Sequence, residues 1–130
     1  MQAKSILLSA ALLAGFAFGA QAADVAAGSK IFDKCRQCHQ IGEGAKNFYG
    51  PNLNGLIDRK AGSVPGYNYS EANKASGKVW TKEALASYLR QPQHDVPKTY
   101  MTFAGLTNQA DIDNVIAYIA QFGPDGKKVN

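Results

Sequence analysis

Cys35-Arg36-Gln37-Cys38-His39 confines this chain more tightly than any other stretch in it. These are the only two cysteines, two residues apart, and a histidine follows directly. Thiols at this spacing reach two points on one edge of a porphyrin, and the next imidazole can approach the iron from the same side, which is the pattern of covalent haem attachment. Three other chemistries draw on the same residue types. A redox dithiol wants a strand leading into a helix, whereas the residues before Cys35 read as a helix. A structural zinc site takes four ligands, and beyond His39 only His94 adds a nitrogen or sulfur donor of the usual kind. A plain disulfide leaves the histidine without a part. Haem attachment uses all three residues.

The N-terminus fits an exported protein, and bacterial haem attachment of this kind takes place outside the cytoplasm. Lys4 supplies a positive start, residues 6–20 are nearly all apolar or small, and Ala20-Gln21-Ala22 has the small-x-small form of a cleavage site. Residues 1–22 are therefore read as a secretory signal peptide cut after Ala22 or Ala23, and residues 23–130 as a single haem-binding domain. The apolar run is short beside the about 20 residues of a membrane span, and no second one follows, so stable membrane insertion is not expected. A soluble periplasmic protein is. Cleavage removes one lysine from a formal net charge of +4. The remaining Lys and Arg are scattered rather than gathered in a stripe, which points to acidic protein partners and away from nucleic acid.

Apolar periodicity predicts three main helices, with loops rich in glycine and proline between them. The first spans 24–35, with Val25, Ile31, Phe32 and Cys35 as its larger apolar positions and Asp24 suited to the positive end of the helix dipole. The second spans 81–90, where Leu85, Tyr88 and Leu89 share a face and Pro92 ends it. The third spans 108–122, with Ile112, Val115, Ile116 and Ile119 on one face and Gly123-Pro124 as its stop. A short helix is expected over 70–76, capped by Ser70 and stopped by Gly77. Residues 40–65 form a long irregular run, which a globular domain tolerates when it wraps something. The tail over 125–130 is expected to fray.

Iron held by His39 has a sixth position to fill. Met101 is the only methionine beyond the leader, and a thioether ligand favours ferrous iron, yet a methionine also serves as core filler. His94 is the rival ligand or a solvated loop residue. The residues alone leave both open.

Over 28–122 the chain resembles the class I c-type cytochromes, in the soluble branch near mitochondrial cytochrome c and the periplasmic carriers of proteobacteria. The resemblance implies an all-α fold, a few helices and long loops wrapped around one covalent haem c, with Gly28 and Phe32 of the first helix crossing the last helix at Tyr118. It implies Cys35 and Cys38 as the thioether residues and His39 and Met101 as the iron ligands. Gly50-Pro51-Asn52-Leu53 resembles the loop whose proline carbonyl accepts a hydrogen bond from the haem histidine. Arg59, Tyr69 and Trp80 resemble the groups that bond a haem propionate. Asn73, Tyr88 and Thr99 resemble the polar set beside the propionates and the methionine sulfur, and Phe103 the aromatic at the exposed haem edge.

The implied function is electron carriage rather than catalysis: a monomeric mono-haem protein cycling between Fe(III) and Fe(II) and shuttling electrons between redox proteins. Its partners would be a bc-type complex, a terminal oxidase, a reaction centre or a dehydrogenase. An open iron acting as peroxidase or gas sensor, should Met101 not bind, and a dedicated subunit of one dehydrogenase or oxidase are the alternatives. Where the family commonly has Pro-Gly-Thr-Lys-Met, this chain has Pro97-Lys98-Thr99-Tyr100-Met101, and Gln93-His94-Asp95-Val96 lacks the lysines of mitochondrial members. Its docking face is thus expected to be less basic than theirs, while charge-steered docking still weakens with salt.

Overall fold

The computed structural model describes residues 14–15 and 22–129. The proposed leader lies almost wholly outside the described residues. Five helices appear in chain order: α1 (Val25–Phe32), α2 (Glu71–Ala75), α3 (Lys82–Arg90), α4 (Pro92–Asp95) and α5 (Gln109–Ala120). Among the described residues there is no sheet, only isolated bridges pairing Lys60 with Val79 and Phe122 with Lys128. No helix among them is long and apolar enough to cross a membrane.

Each of the longer helices starts on a side-chain cap, which satisfies backbone donors that have no partner in the first turn. Asp24 accepts from the Ala27 N–H at 3.0 Å, Thr81 from Ala84 at 3.1 Å, and Asn108 from Ala110 at 2.8 Å. The Asp24 N–H also donates to the Asn114 side chain at 2.8 Å, which joins the start of α1 to α5. These two helices cross at Gly28, where a Cβ would run into the Asn114 backbone carbonyl, so only glycine admits this approach. One turn on, the Phe32 ring packs against Tyr118 with centroids 5.2 Å apart. Behind the crossing, Ile112, Val115, Ile116 and Ile119 carry the apolar face of α5 into the core.

Three expectations need correction. The first helix ends at Phe32, not at residue 35. Its backbone tightens there, the Lys34 N–H bonding Ile31 O at 3.1 Å and Cys35 bonding Phe32 O at 2.8 Å. Apolar spacing survives this change of turn, so periodicity did not register it. Pro92 ends α3, but it also opens α4, because a proline at the first helical position gives up no needed N–H. The tail is not frayed over 125–129. Val129 N–H donates to Gln121 O at 2.7 Å and Gly123 N–H to Lys127 O at 2.9 Å, and Asp125 accepts from the Lys127 N–H at 3.0 Å.

α4 fixes the start of the segment that leads to Met101. Ser87 on α3 donates to the Asp95 carboxylate at 2.9 Å, and the Lys78 ammonium lies 3.3 Å from the same group. Gln93 reaches forward and donates to the Met101 carbonyl. Residues 40–65 fold back over the opposite side, burying Leu53, Leu56, Ala61 and Val64. Between these walls lies a cavity.

Candidate haem site

The cavity measures about 220 Å³. Cys35, Cys38 and His39 stand on its walls, and so does Met101, brought there by the segment that follows α4. Leu53, Leu56, Leu85, Leu89 and Ile119 give it an apolar lining. Pro51, Arg59, Tyr69, Asn73, Trp80, Tyr88 and Thr99, all singled out from the sequence, line it too. One expected neighbour, Phe103, does not, nor does the rival ligand His94, whose exposure on α4 agrees with the solvated reading. Phe103 packs against the buried core outside the cavity wall. Tyr100 and Thr102 take the wall beside Met101 instead.

His39 is the most constrained of these groups. Its Nδ1–H donates to the Pro51 carbonyl at 2.7 Å, which fixes the tautomer and leaves Nε2 with its lone pair. Burial lowers its pKa, opposed by the Pro51 bond and assisted by the nearby Arg59 charge, which favours the neutral imidazole. Gly50 lies flat against the imidazole: a Cβ there would come 2.6 Å from Nδ1 and 2.8 Å from Nε2. Across the cavity, the Tyr88 hydroxyl shares a 2.8 Å hydrogen bond with Thr99, whose Oγ1 accepts from the Met101 N–H at 3.3 Å. Burial raises the Tyr88 pKa, so its hydroxyl stays protonated.

The cysteines do not behave as a redox pair. They are not joined to each other, and burial pushes the Cys35 thiol up to about 11. Catalytic dithiols have depressed thiols, which makes this the opposite environment. Nor do any three His, Cys, Asp or Glu side chains among the described residues converge on a point where a bare metal ion could sit. The walls instead suit a flat, mostly apolar group with a polar edge. Arg59 gives its terminal nitrogen to the Asn52 and Asn54 carbonyls at 3.1 and 2.9 Å, while its Nε is buried without a protein partner. Burial lowers the pKa of this guanidinium, and no ion pair among the described residues offsets it. Asn73 Oδ1 is likewise buried without a partner. A half-buried guanidinium whose Nε lacks a protein partner fits a carboxylate such as a haem propionate, so the residues present match haem.

Tyr67 was missed in the sequence. Its hydroxyl donates to the Tyr49 carbonyl at 2.6 Å, and its ring meets Tyr69 edge-on at 4.8 Å, closing one side of the cavity. The signal was its two-residue spacing from Tyr69, which in extended chain puts both rings on one side.

The family model for cytochrome c matches residues 25–123. A cytochrome c2 of Rhodoblastus acidophilus is 53% identical over 107 residues, covering 82% of this chain and 100% of that protein. A cytochrome c-550 of Nitrobacter winogradskyi is 51% identical over 104 residues, covering 80% and 95%. The solved cytochrome c2 from Rhodospirillum centenum superposes with a TM-score of 0.73 at 39% identity, over 78% of this chain and 99% of that one. The fold and site define a class I c-type cytochrome, and the chain belongs to the cytochrome c family. Its cofactor is covalently bound haem c, and it is an electron carrier rather than an enzyme.

Proposed function

We propose that this chain is a periplasmic shuttle in which Cys35 and Cys38 hold the haem through thioethers and His39 and Met101 ligate its iron. One observation carries the reading: both cysteines, the histidine and the methionine stand on the walls of one cavity, with His39 held by the Pro51 carbonyl at 2.7 Å. Haem c, when bound, supplies one-electron exchange between ferric and ferrous iron. The chain's own residues do the rest. Pro51 keeps the His39 ring oriented and makes Nε2 a better donor. Arg59, Tyr69 and Trp80 hold the propionate edge, with Asn73 beside them. Thr99 and Tyr88 steady the segment bearing Met101. Two iron ligands supplied by the chain would leave no position for a substrate, and the leucines that line the cavity would give the haem an apolar setting.

The partners we infer are redox proteins on the periplasmic side, among them a bc-type complex, a terminal oxidase, a reaction centre or a dehydrogenase. Contact would be brief and charge-steered, of the small-interface kind found in electron transfer. Mass spectrometry of the purified exported protein tests the assignment. A peptide containing Cys35 to His39 that carries one haem, in a chain beginning at Ala23 or Asp24, is the expected result. A haem-free peptide joined by a disulfide contradicts it.

A further inference from the structure

Three ion pairs form among the described residues, and one of them is unlike the others. The side chains of Arg36–Asp33 and Lys74–Glu71 are between 45% and 89% exposed, whereas those of Lys78 and Asp95 keep 28% and 16%. A surface pair contributes little, but a carboxylate withdrawn from water depends on its partners. Asp95 is such a group. Its Oδ2 is buried without a hydrogen-bond partner in the protein and faces the Lys78 ammonium at 3.3 Å, while Oδ1 accepts from the Ser87 hydroxyl at 2.9 Å.

The three residues come from three segments around the cavity. Lys78 stands two residues before Trp80, on a stretch held to Arg59 and its neighbours: the Ala61 N–H donates to Lys78 O at 2.9 Å and the Trp80 N–H to Arg59 O at 2.8 Å. Ser87 precedes Tyr88 on α3. Asp95 closes α4, its N–H bonded to Gln91 O at 2.9 Å, and buried Val96 follows. From there a short run leads to Met101, with Thr99 N–H donating to Val96 O at 3.0 Å and Met101 N–H to the Thr99 hydroxyl at 3.3 Å. Asp95 therefore ties the Met101 segment to α3 by a hydrogen bond and to the Trp80 stretch by charge.

That segment also holds strain. Lys98 has a φ of 66°, in the left-handed region where a Cβ crowds the following carbonyl. Asp58 shares this conformation at 64°, but aspartate tolerates it and lysine gains nothing from it. Lys98 stands where the family commonly has glycine. A residue held in this region persists only where its surroundings over-determine it.

We propose that Asp95 is a positioning residue for the sixth iron ligand: the Lys78, Asp95 and Ser87 cluster holds the Met101 segment closed against the strain at Lys98. This rests on the reading of Met101 as an iron ligand. With the cluster broken, the Lys98 backbone relaxes and carries Met101 out of the cavity for a larger fraction of the time.

The test uses the haem-loaded protein and imidazole, a small ligand that competes with Met101 for ferric iron. Its apparent affinity scales with the fraction of molecules whose segment is open, and loss of the far-red methionine band follows the titration. Asp95→Asn raises that affinity about tenfold, because it removes the charge that Lys78 faces. Ser87→Ala, which removes one hydrogen bond, raises it by a smaller factor. Lys98→Gly removes the strain and lowers the affinity, and Asp95→Asn/Lys98→Gly returns it towards the wild-type value. Gly28→Ala is the control for a merely structural effect. It weakens the crossing of α1 and α5, so it lowers the denaturant midpoint and leaves imidazole affinity alone. Should Asp95→Asn fail to fold, Ser87→Ala and Lys98→Gly carry the test. Wild-type affinity in these variants overturns the proposal. A rise in Asp95→Asn that Gly28→Ala matches also overturns it, by making Asp95 a general stabiliser. A wild type without the far-red band, or a Met101→Ala variant with unchanged imidazole affinity, overturns the Met101 reading itself.

Discussion

At the residue scale, Met101 separates a closed carrier from an open haem. Met101→Ala removes the thioether while leaving Cys35, Cys38 and His39 in place. The haem is expected to stay attached and the reduction potential to fall, because a thioether ligand favours ferrous iron. Potentiometry of the variant checks this, and an unchanged potential would remove Met101 from its role. Gly50→Ala probes the other side. The new methyl meets the His39 ring at distances no Cβ adopts, so a loss of about 1–3 kcal/mol in denaturant unfolding is expected, with a shifted potential as the imidazole turns away from Pro51. That these four residues share one cavity was legible in the sequence, Cys35, Cys38 and His39 from spacing alone and Met101 from the resemblance. Tyr67 was not. Its hydrogen bond to the backbone of a residue 18 positions away leaves no local trace, and only its spacing from Tyr69 pointed to the cavity.

Among the elements, the crossing of α1 and α5 sets the frame into which the haem segment is fitted. Gly28→Ala places a methyl against the Asn114 carbonyl, and backbone cannot move aside as a flexible side chain can. A loss of about 1–3 kcal/mol is expected, seen as a lower denaturant midpoint with an unchanged slope, while the haem spectrum is retained. An unchanged midpoint would show that the helices are not pressed together there. α2, α3 and α5 appear where capping residues and apolar spacing put them, because Ser70, Thr81 and Asn108 each cap the helix they precede. The end of α1 and the returning tail escaped. Both are made by backbone hydrogen bonds that leave the apolar pattern unchanged.

For the whole molecule, cavity and core are one structure. Leu53, Leu56, Leu85, Leu89 and Ile119 belong to the buried core and also face the cavity. A chain of this length buries a core only marginally by itself, so the cofactor completes the interior. Cys35→Ser/Cys38→Ser, which removes both proposed attachment points, is expected to abolish the cooperative thermal transition followed by circular dichroism. A sharp transition in that variant would mean that the polypeptide holds its fold unaided. The long irregular run over 40–65 was the sequence's sign of an enclosed body, and part of it lines the cavity. Which walls it would form could not be read there, because loop packing is settled by what it encloses.

The most direct test of the central claim is the optical spectrum of the purified exported protein, oxidised and reduced, before and after adding carbon monoxide to the reduced form. A closed His39/Met101 site predicts sharp c-type bands, the weak far-red band of a methionine–ferric bond, and no response to carbon monoxide. A missing far-red band together with a clear carbon monoxide shift would contradict it and make the iron an open, reactive centre.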